Sequence, residues 1–223
     1  AVGIAALFAL GAGVSVDLKS PDGDGWKVLL GGLHAGVCLL APLLIAVIAS
    51  RVTEIERAGN GWLLFAASGT TPGQLCRAKF FALGAPLAAV CVLWGLCVPV
   101  WGALLGVPAP VPIGRIVAYT ASVCVISLVI LALQLLISLA SDNQLLAVGA
   151  GMLGVLLSMI GAMAPTWAQY LTPWTYYSLV VPMTFAGSDP VYLDAPFPGA
   201  LVLAIAGAVA FTVITTRLDR KEV

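Results

Sequence analysis

Most side chains that could do chemistry lie in one polar stretch, residues 51–79. Four of the ten basic residues are there, Arg51, Arg57, Arg77 and Lys79, together with the acids Glu54 and Glu56. Charged groups of both signs between two apolar segments can pair with each other or bind a soluble partner. Exposed local ion pairs contribute little to stability, so a solvated loop is the alternative to a docking element.

A second group of polar side chains lies within apolar segments. His34 is the only histidine, and an ionisable group at membrane depth is a functional candidate. No acid shares its segment, so a proton relay is poorly supported and a packed, neutral, hydrogen-bonded histidine is the favoured alternative. Candidates to line a substrate pathway are His34, Gln134 and Ser138, with Ser127 and Ser158 as further polar points. Such a surface suits an amphipathic or lipid-like cargo better than an ion or a sugar.

Catalysis finds little support in the motifs. The sequence has no HExxH motif or paired carboxylates in an apolar segment, and no G-x-x-x-x-G-K-[ST] phosphate loop. The five cysteines, Cys38, Cys76, Cys91, Cys97 and Cys124, have no spacing typical of a zinc or redox site. We therefore expect no enzymatic activity, and no metal or cofactor bound by this chain.

The composition is that of a membrane protein. The 223 residues are 61% hydrophobic and 9% charged, with a mean hydropathy of +1.08. Soluble domains carry roughly a quarter charged residues, so the bilayer is the main solvent here. The formal net charge of zero gives no support for nucleic-acid binding.

Six apolar segments are long enough to predict membrane-spanning helices, which need about 20 apolar residues each. They cover residues 1–16, 28–50, 80–105, 115–140, 145–164 and 197–216. Each must be helical because an open strand edge leaves backbone groups unsatisfied in lipid. Residues 165–196 are rich in aromatic residues and proline, which predicts short helices at an interface. We expect one all-α transmembrane domain over residues 1–223, without a soluble second domain.

The basic residues predict the orientation. Seven lie on the side of the 51–79 loop and three on the other, at Lys19, Lys27 and Arg115. Basic loops stay in the cytoplasm, so the loop and both chain ends are predicted to be cytoplasmic. The chain begins with an apolar Ala1 rather than a Met, so we expect that the natural protein starts earlier.

A local signal predicts where the third span begins. Thr71, Pro72 and Gln74 have the spacing of a capped helix start, with threonine as the cap and proline at the first helical position. The helix should therefore start about two turns before its membrane part.

These motifs resemble those of the ABC-2 permease family, in its branch of lantibiotic-immunity and bacitracin-type permeases. The resemblance is carried by EIERAGNGWLL at 54–64, SGTTP at 68–72, the Arg77–Lys79 segment and LTPWTY at 171–176. It covers the chain from about residue 50 to the end.

The resemblance implies a type V exporter-like permease with a cytoplasmic coupling helix between the second and third spans. Glu54, Glu56, Trp62 and Lys79 are the residues expected to couple it to a separate cytoplasmic ABC ATPase subunit. ATP and Mg²⁺ would be bound by that partner, and a second permease copy or paralogue would complete the transporter.

The sequence thus favours a bacterial plasma-membrane exporter, for which the resemblance suggests antimicrobial-peptide immunity or resistance. An ATP-independent secondary transporter or a non-transporting membrane scaffold is the alternative.

Overall fold

The computed structural model describes residues 24–59, 61, 67–141, 143–186, 189–193 and 197–220. Its helices are α1 (Asp24–Ala58), α2 (Pro72–Leu104), α3 (Ile113–Ala140), α4 (Gln144–Ile160), α5 (Thr166–Gln169), α6 (Tyr176–Leu179) and α7 (Phe197–Arg220). Strands β1 (Met183–Ala186) and β2 (Asp189–Tyr192) form an antiparallel pair.

The described residues contain five helices long and apolar enough to cross a membrane. These are α1, α2, α3, α4 with its short 3₁₀ extension Gly161–Met163, and α7. Each overlaps one of the predicted spans from the second to the sixth, which confirms a mostly helical, multi-pass membrane protein. The predicted first span, residues 1–16, lies outside the described residues.

Helix α2 begins where its capping signal predicted. The Thr71 side chain accepts a hydrogen bond from the Gln74 amide, and the Gln74 side chain accepts one from the Thr71 amide. Two of the amides that a helix start leaves unpaired are satisfied in this way. At the far end, Gly106 has a φ of +72°, a left-handed conformation that glycine adopts without strain and that commonly ends a helix.

Helices α1 and α3 form the inside of the bundle. Half of the most apolar window of each is buried, against 17% for α2 and 22% for α7. Helices α1 and α2 pack along α3, α7 packs on α3 and α2, and α4 packs on α1. Outward side chains such as Leu96, Leu153 and Ile205 are more than half exposed. Exposed apolar surface on this scale requires a covering, which the bilayer supplies.

The segment between α4 and α7 departs from the all-α expectation. It contains the short helices α5 and α6, in line with the prediction, but also the β1–β2 hairpin, which was not predicted. The hairpin lies against α1, where the Met183 side chain contacts Gly31. The guanidinium of Arg115 lies 4.4 Å from the centre of the Tyr192 ring. The hairpin therefore covers one end of the bundle and does not act as a span.

At that same end, α1 and α2 meet through an indole ring. Trp26 of α1 is buried, and its Nε1 donates a hydrogen bond of 2.9 Å to the carbonyl of Ala109. Its ring occupies the space where a Cβ on Gly102 of α2 would lie. The hydrogen bond holds the ring in place, so this contact depends on Gly102 having no side chain.

We predict that Gly102→Ala lowers the free energy of unfolding by about 1–3 kcal/mol, because the added methyl group overpacks a fixed ring. The matched control is Gly149→Ala in α4, where nothing lies within 4 Å of the added Cβ. That exposed helix-interior site should gain about 0.5–1 kcal/mol. Unfolding of both variants in mild detergent measures the difference, and equal stabilities would contradict the packing described.

Candidate functional site

One end of the bundle carries most of the described charges, and we call it the basic end. It comprises the end of α1 (residues 51–58), the start of α2 (residues 71–79) and the end of α7 (residues 215–220). Helix α1 continues past Ser50 to Ala58, and α2 begins at Pro72. Much of the predicted 51–79 loop is thus helical, and the two helices bring Glu54, Glu56 and Lys79 into one region. Trp62 lies outside the described residues.

A buried ion pair joins α1 to α2 at the basic end. The Lys79 ammonium lies 2.5 Å from a carboxylate oxygen of Glu56, and the two side chains are only 5% and 22% exposed. A charge buried this deeply requires a partner, because an unpaired one costs several kcal/mol. Two of the four predicted coupling residues therefore bind each other, and Lys79 has almost no surface for a separate protein to contact.

The Glu54 side chain, in contrast to that of Lys79, is exposed. It pairs with Arg51 at 3.2 Å, three residues earlier on α1, and the two side chains are 43% and 65% exposed. Exposed pairs of this kind contribute little to stability and exchange partners readily. Of the predicted coupling residues that the structure describes, Glu54 is the one available to an incoming partner.

A second set of polar contacts ties α2 to α7. The Thr71 hydroxyl donates to one oxygen of Asp219 at 2.5 Å, and Arg77 donates to the other at 2.9 Å. Gly73 packs directly on the Thr215 carbonyl and the Asp219 carboxylate. The capping threonine therefore both starts α2 and attaches it to α7. Sequence reasoning did not identify this pairing, because its partners lie 142 and 148 residues apart.

Away from the basic end, α1 and α2 separate and leave a cavity of about 300 Å³ with α3 as its floor. We call it the lateral groove. Its walls include Leu40, Leu44 and Ile48 of α1 and Leu87 and Val90 of α2, with Ser127 on α3. Hydrocarbon forms nearly all of its surface, so it suits an apolar group rather than an ion.

The three predicted pathway residues are buried but do not line this groove. Tyr119 Oη lies 3.0 Å from His34 Nδ1, and Cys38 Sγ lies 3.3 Å from His34 Nε2. Both ring nitrogens thus have partners inside the bundle, the arrangement expected of a packed histidine. Gln134 and Ser138 are also buried. A pathway role for these residues stays a prediction.

Two tyrosines that sequence reasoning missed organise the polar interior. Tyr119 contacts His34, and Tyr177 forms a hydrogen bond of 2.8 Å with Ser127 on the groove floor. A tyrosine within an apolar segment gives no signal that distinguishes such an internal contact from ordinary packing. Within the part of the chain that the structure describes, no group of three or more His, Cys, Asp or Glu could hold a metal ion.

No family model matches this chain, and no curated protein matches it. The resemblance to ABC-2 permeases therefore rests on the short motifs alone.

We predict that Glu56→Gln lowers the free energy of unfolding by about 3 kcal/mol, because it leaves the Lys79 charge buried without a counter-charge. Lys79→Met should cost less, since the 22% exposed Glu56 can turn toward water. The double variant should be more stable than Glu56→Gln alone.

The control is Glu54→Gln, which removes an exposed pair on the same helix and should change stability by less than about 1 kcal/mol. Unfolding of all four variants in mild detergent gives the comparison. Equal losses for Glu56→Gln and Glu54→Gln would show that the buried pair does not form.

Proposed function

We propose that this chain is the transmembrane permease subunit of an ATP-driven ABC exporter in a bacterial plasma membrane. It would act with a second permease copy or paralogue and with cytoplasmic ABC ATPase subunits. The cargo would be an amphipathic peptide, drug or lipid-like molecule moved out of the cell, which fits a role in antimicrobial-peptide immunity or resistance.

The observation that carries the proposal is the joined basic end. Glu56 and Lys79 connect α1 to α2, and Asp219 connects α2 to α7 through Thr71 and Arg77. A displacement applied at any of these three helix ends would therefore be shared by all three. Conformational change in membrane transporters is often rigid-body movement of this kind.

The contacts suggest separate roles for the predicted coupling residues. Glu54, with its exposed carboxylate, would contact the ATPase. Glu56 and Lys79 would act from inside, holding α1 and α2 together so that the force reaches both. Trp62 would supply an apolar anchor from the segment between the two helices.

The cargo class follows from the apolar interior. The lateral groove has walls of hydrocarbon with few polar groups. Residues 28–50 of α1, 80–104 of α2 and 116–140 of α3 contain no Asp, Glu, Lys or Arg. ATP hydrolysis requires a partner, because the sequence has no G-x-x-x-x-G-K-[ST] motif. ATP and Mg²⁺ would therefore be bound by the ATPase subunit.

We predict that the chain, extracted from its native membrane, retains a polypeptide with a phosphate-binding loop. After reconstitution in liposomes, Glu54→Ala should lower ATP hydrolysis at least tenfold by removing the exposed contact. Asp189→Ala, which removes an exposed carboxylate in β2, is the matched control and should hydrolyse ATP at the wild-type rate.

Two results would contradict the proposal. One is a purified protein without a nucleotide-binding partner together with ATP hydrolysis unaffected by Glu54→Ala. The other is transport driven by a proton gradient without ATP and abolished by His34→Ala, which would instead identify a secondary transporter. A chain with neither activity would fit the scaffold alternative.

A further inference from the structure

The lateral groove is about as long as one bilayer leaflet is thick. It follows α1 from Gly36 to Ile48, about 18 Å at 1.5 Å per residue. The hydrocarbon core of a bilayer is about 30 Å thick, so each leaflet contributes about 15 Å. Ile48 lies one helical turn from Arg51, at the basic end. The groove therefore spans the leaflet on that side.

The groove opens sideways. On its rim, Leu44 and Ile48 of α1 are 44% and 48% exposed, and Val90 of α2 is 60% exposed. Beyond its two ends α1 and α2 are joined, by the Glu56–Lys79 pair on one side and by Trp26 against Gly102 on the other. An occupant would therefore enter from the hydrocarbon of the membrane rather than from water.

Arg51 lies where the polar headgroup of an amphipathic molecule in the groove would be. Arg51 follows Ile48 by three residues and Leu44 by seven, so it lies on the same face of α1. Its side chain is 65% exposed and holds Glu54 only in an exposed pair, which a phosphate could displace. The planar guanidinium is well suited to phosphate oxygens.

We propose that the lateral groove binds one acyl chain of an anionic phospholipid from the surrounding bilayer, with the lipid phosphate at Arg51. Groove length, hydrocarbon walls, a lateral mouth and a cation at the basic end together match that molecule. The proposal stands apart from the proposed function, because lipid binding requires neither an ATPase nor transport.

Native mass spectrometry tests the headgroup preference. The full chain in mild detergent is mixed with equal amounts of phosphatidylglycerol and phosphatidylcholine. The wild type should retain phosphatidylglycerol preferentially. Arg51→Gln should reduce the ratio of phosphatidylglycerol to phosphatidylcholine at least threefold. Arg217→Gln, which removes an exposed arginine of α7, is the control and should keep the wild-type ratio.

A second pair of variants tests whether the groove binds the acyl chain of the lipid. Ala41 lines the groove, and Ala41→Trp should fill it and reduce retention of both lipids at least threefold. Ala210→Trp places the same side chain at an exposed position of α7 and should retain lipid as the wild type does. Arg51 is exposed, so its variant remains informative even where Ala41→Trp fails to fold.

Equal lipid retention by Ala41→Trp and Ala210→Trp, or an unchanged lipid ratio in Arg51→Gln, would overturn the proposal. A different occupant would also overturn it. Cys91 lines the groove, so an oxidative crosslink in bilayers from Cys91 to a cysteine introduced by Ala9→Cys would identify the predicted first span there. A crosslink between Cys91 of two copies would identify a second chain.

Discussion

The buried contact between Glu56 and Lys79 is the constraint on which the rest of the described structure depends. Lys79 is almost fully enclosed, and an enclosed ammonium requires a counter-charge. Helix α1 must therefore extend beyond its apolar part until Glu56 reaches α2. Helix α2 must start early enough, at Pro72, for Lys79 to lie within its first turns. The lengths of both helices at the basic end follow from this pairing.

The groove is a consequence of joining two helices only at their ends. The ion pair holds α1 to α2 at the basic end, and the buried Trp26 ring holds them at the other. Between these points both helices pack on α3, whose side chains form the floor on which they separate. Closing the groove would require α1 and α2 to approach each other along their middle turns. A change at either end contact should therefore alter the groove, which would link the predicted coupling residues to the apolar interior.

The polar contacts at the basic end are arranged by accessibility. Asp219 and Glu56 each form an ion pair with a basic residue of α2. Asp219 pairs with Arg77, and Glu56 pairs with Lys79. Both contacts lie partly or wholly inside the protein, whereas the Arg51–Glu54 pair remains on the surface. The inner contacts can hold three helix ends together while the outer one stays open to exchange. This division is what the proposed docking of an ATPase would use, an exposed pair in front of joined helix ends.

Local patterns in the sequence predicted some of these features and could not predict others. Continuous apolar runs are sufficient to locate α1, α2, α3, α4 and α7, because a span requires only length and hydropathy. The start of α2 was predictable because its signal is also local: a capping box is complete within four residues. The β1–β2 hairpin was missed because Asp189 and Pro190 are disfavoured in strands, and packing on α1 overrides that preference.

The pairing of Glu56 with Lys79 was not predictable, although both residues were singled out. A charge pattern shows which residues are polar, whereas tertiary packing decides which of them meet. The same limit applied to Asp219 and to the groove, since both depend on how α1, α2, α3 and α7 pack together. The assignment of Glu56 and Lys79 to a shared coupling role remains a prediction, now with a specific contact to test.

The most direct test of this account is a distance measurement across the groove in lipid bilayers. Spin labels carried by non-natural side chains at Leu44 and Val90 leave the five cysteines in place. Pulsed electron paramagnetic resonance should give one narrow distance distribution in the otherwise unchanged chain. In the Glu56→Gln background the distribution should become broader and longer, because the basic end no longer holds α1 to α2. Identical distributions in the two backgrounds would contradict the claim that the buried ion pair sets the spacing of these helices.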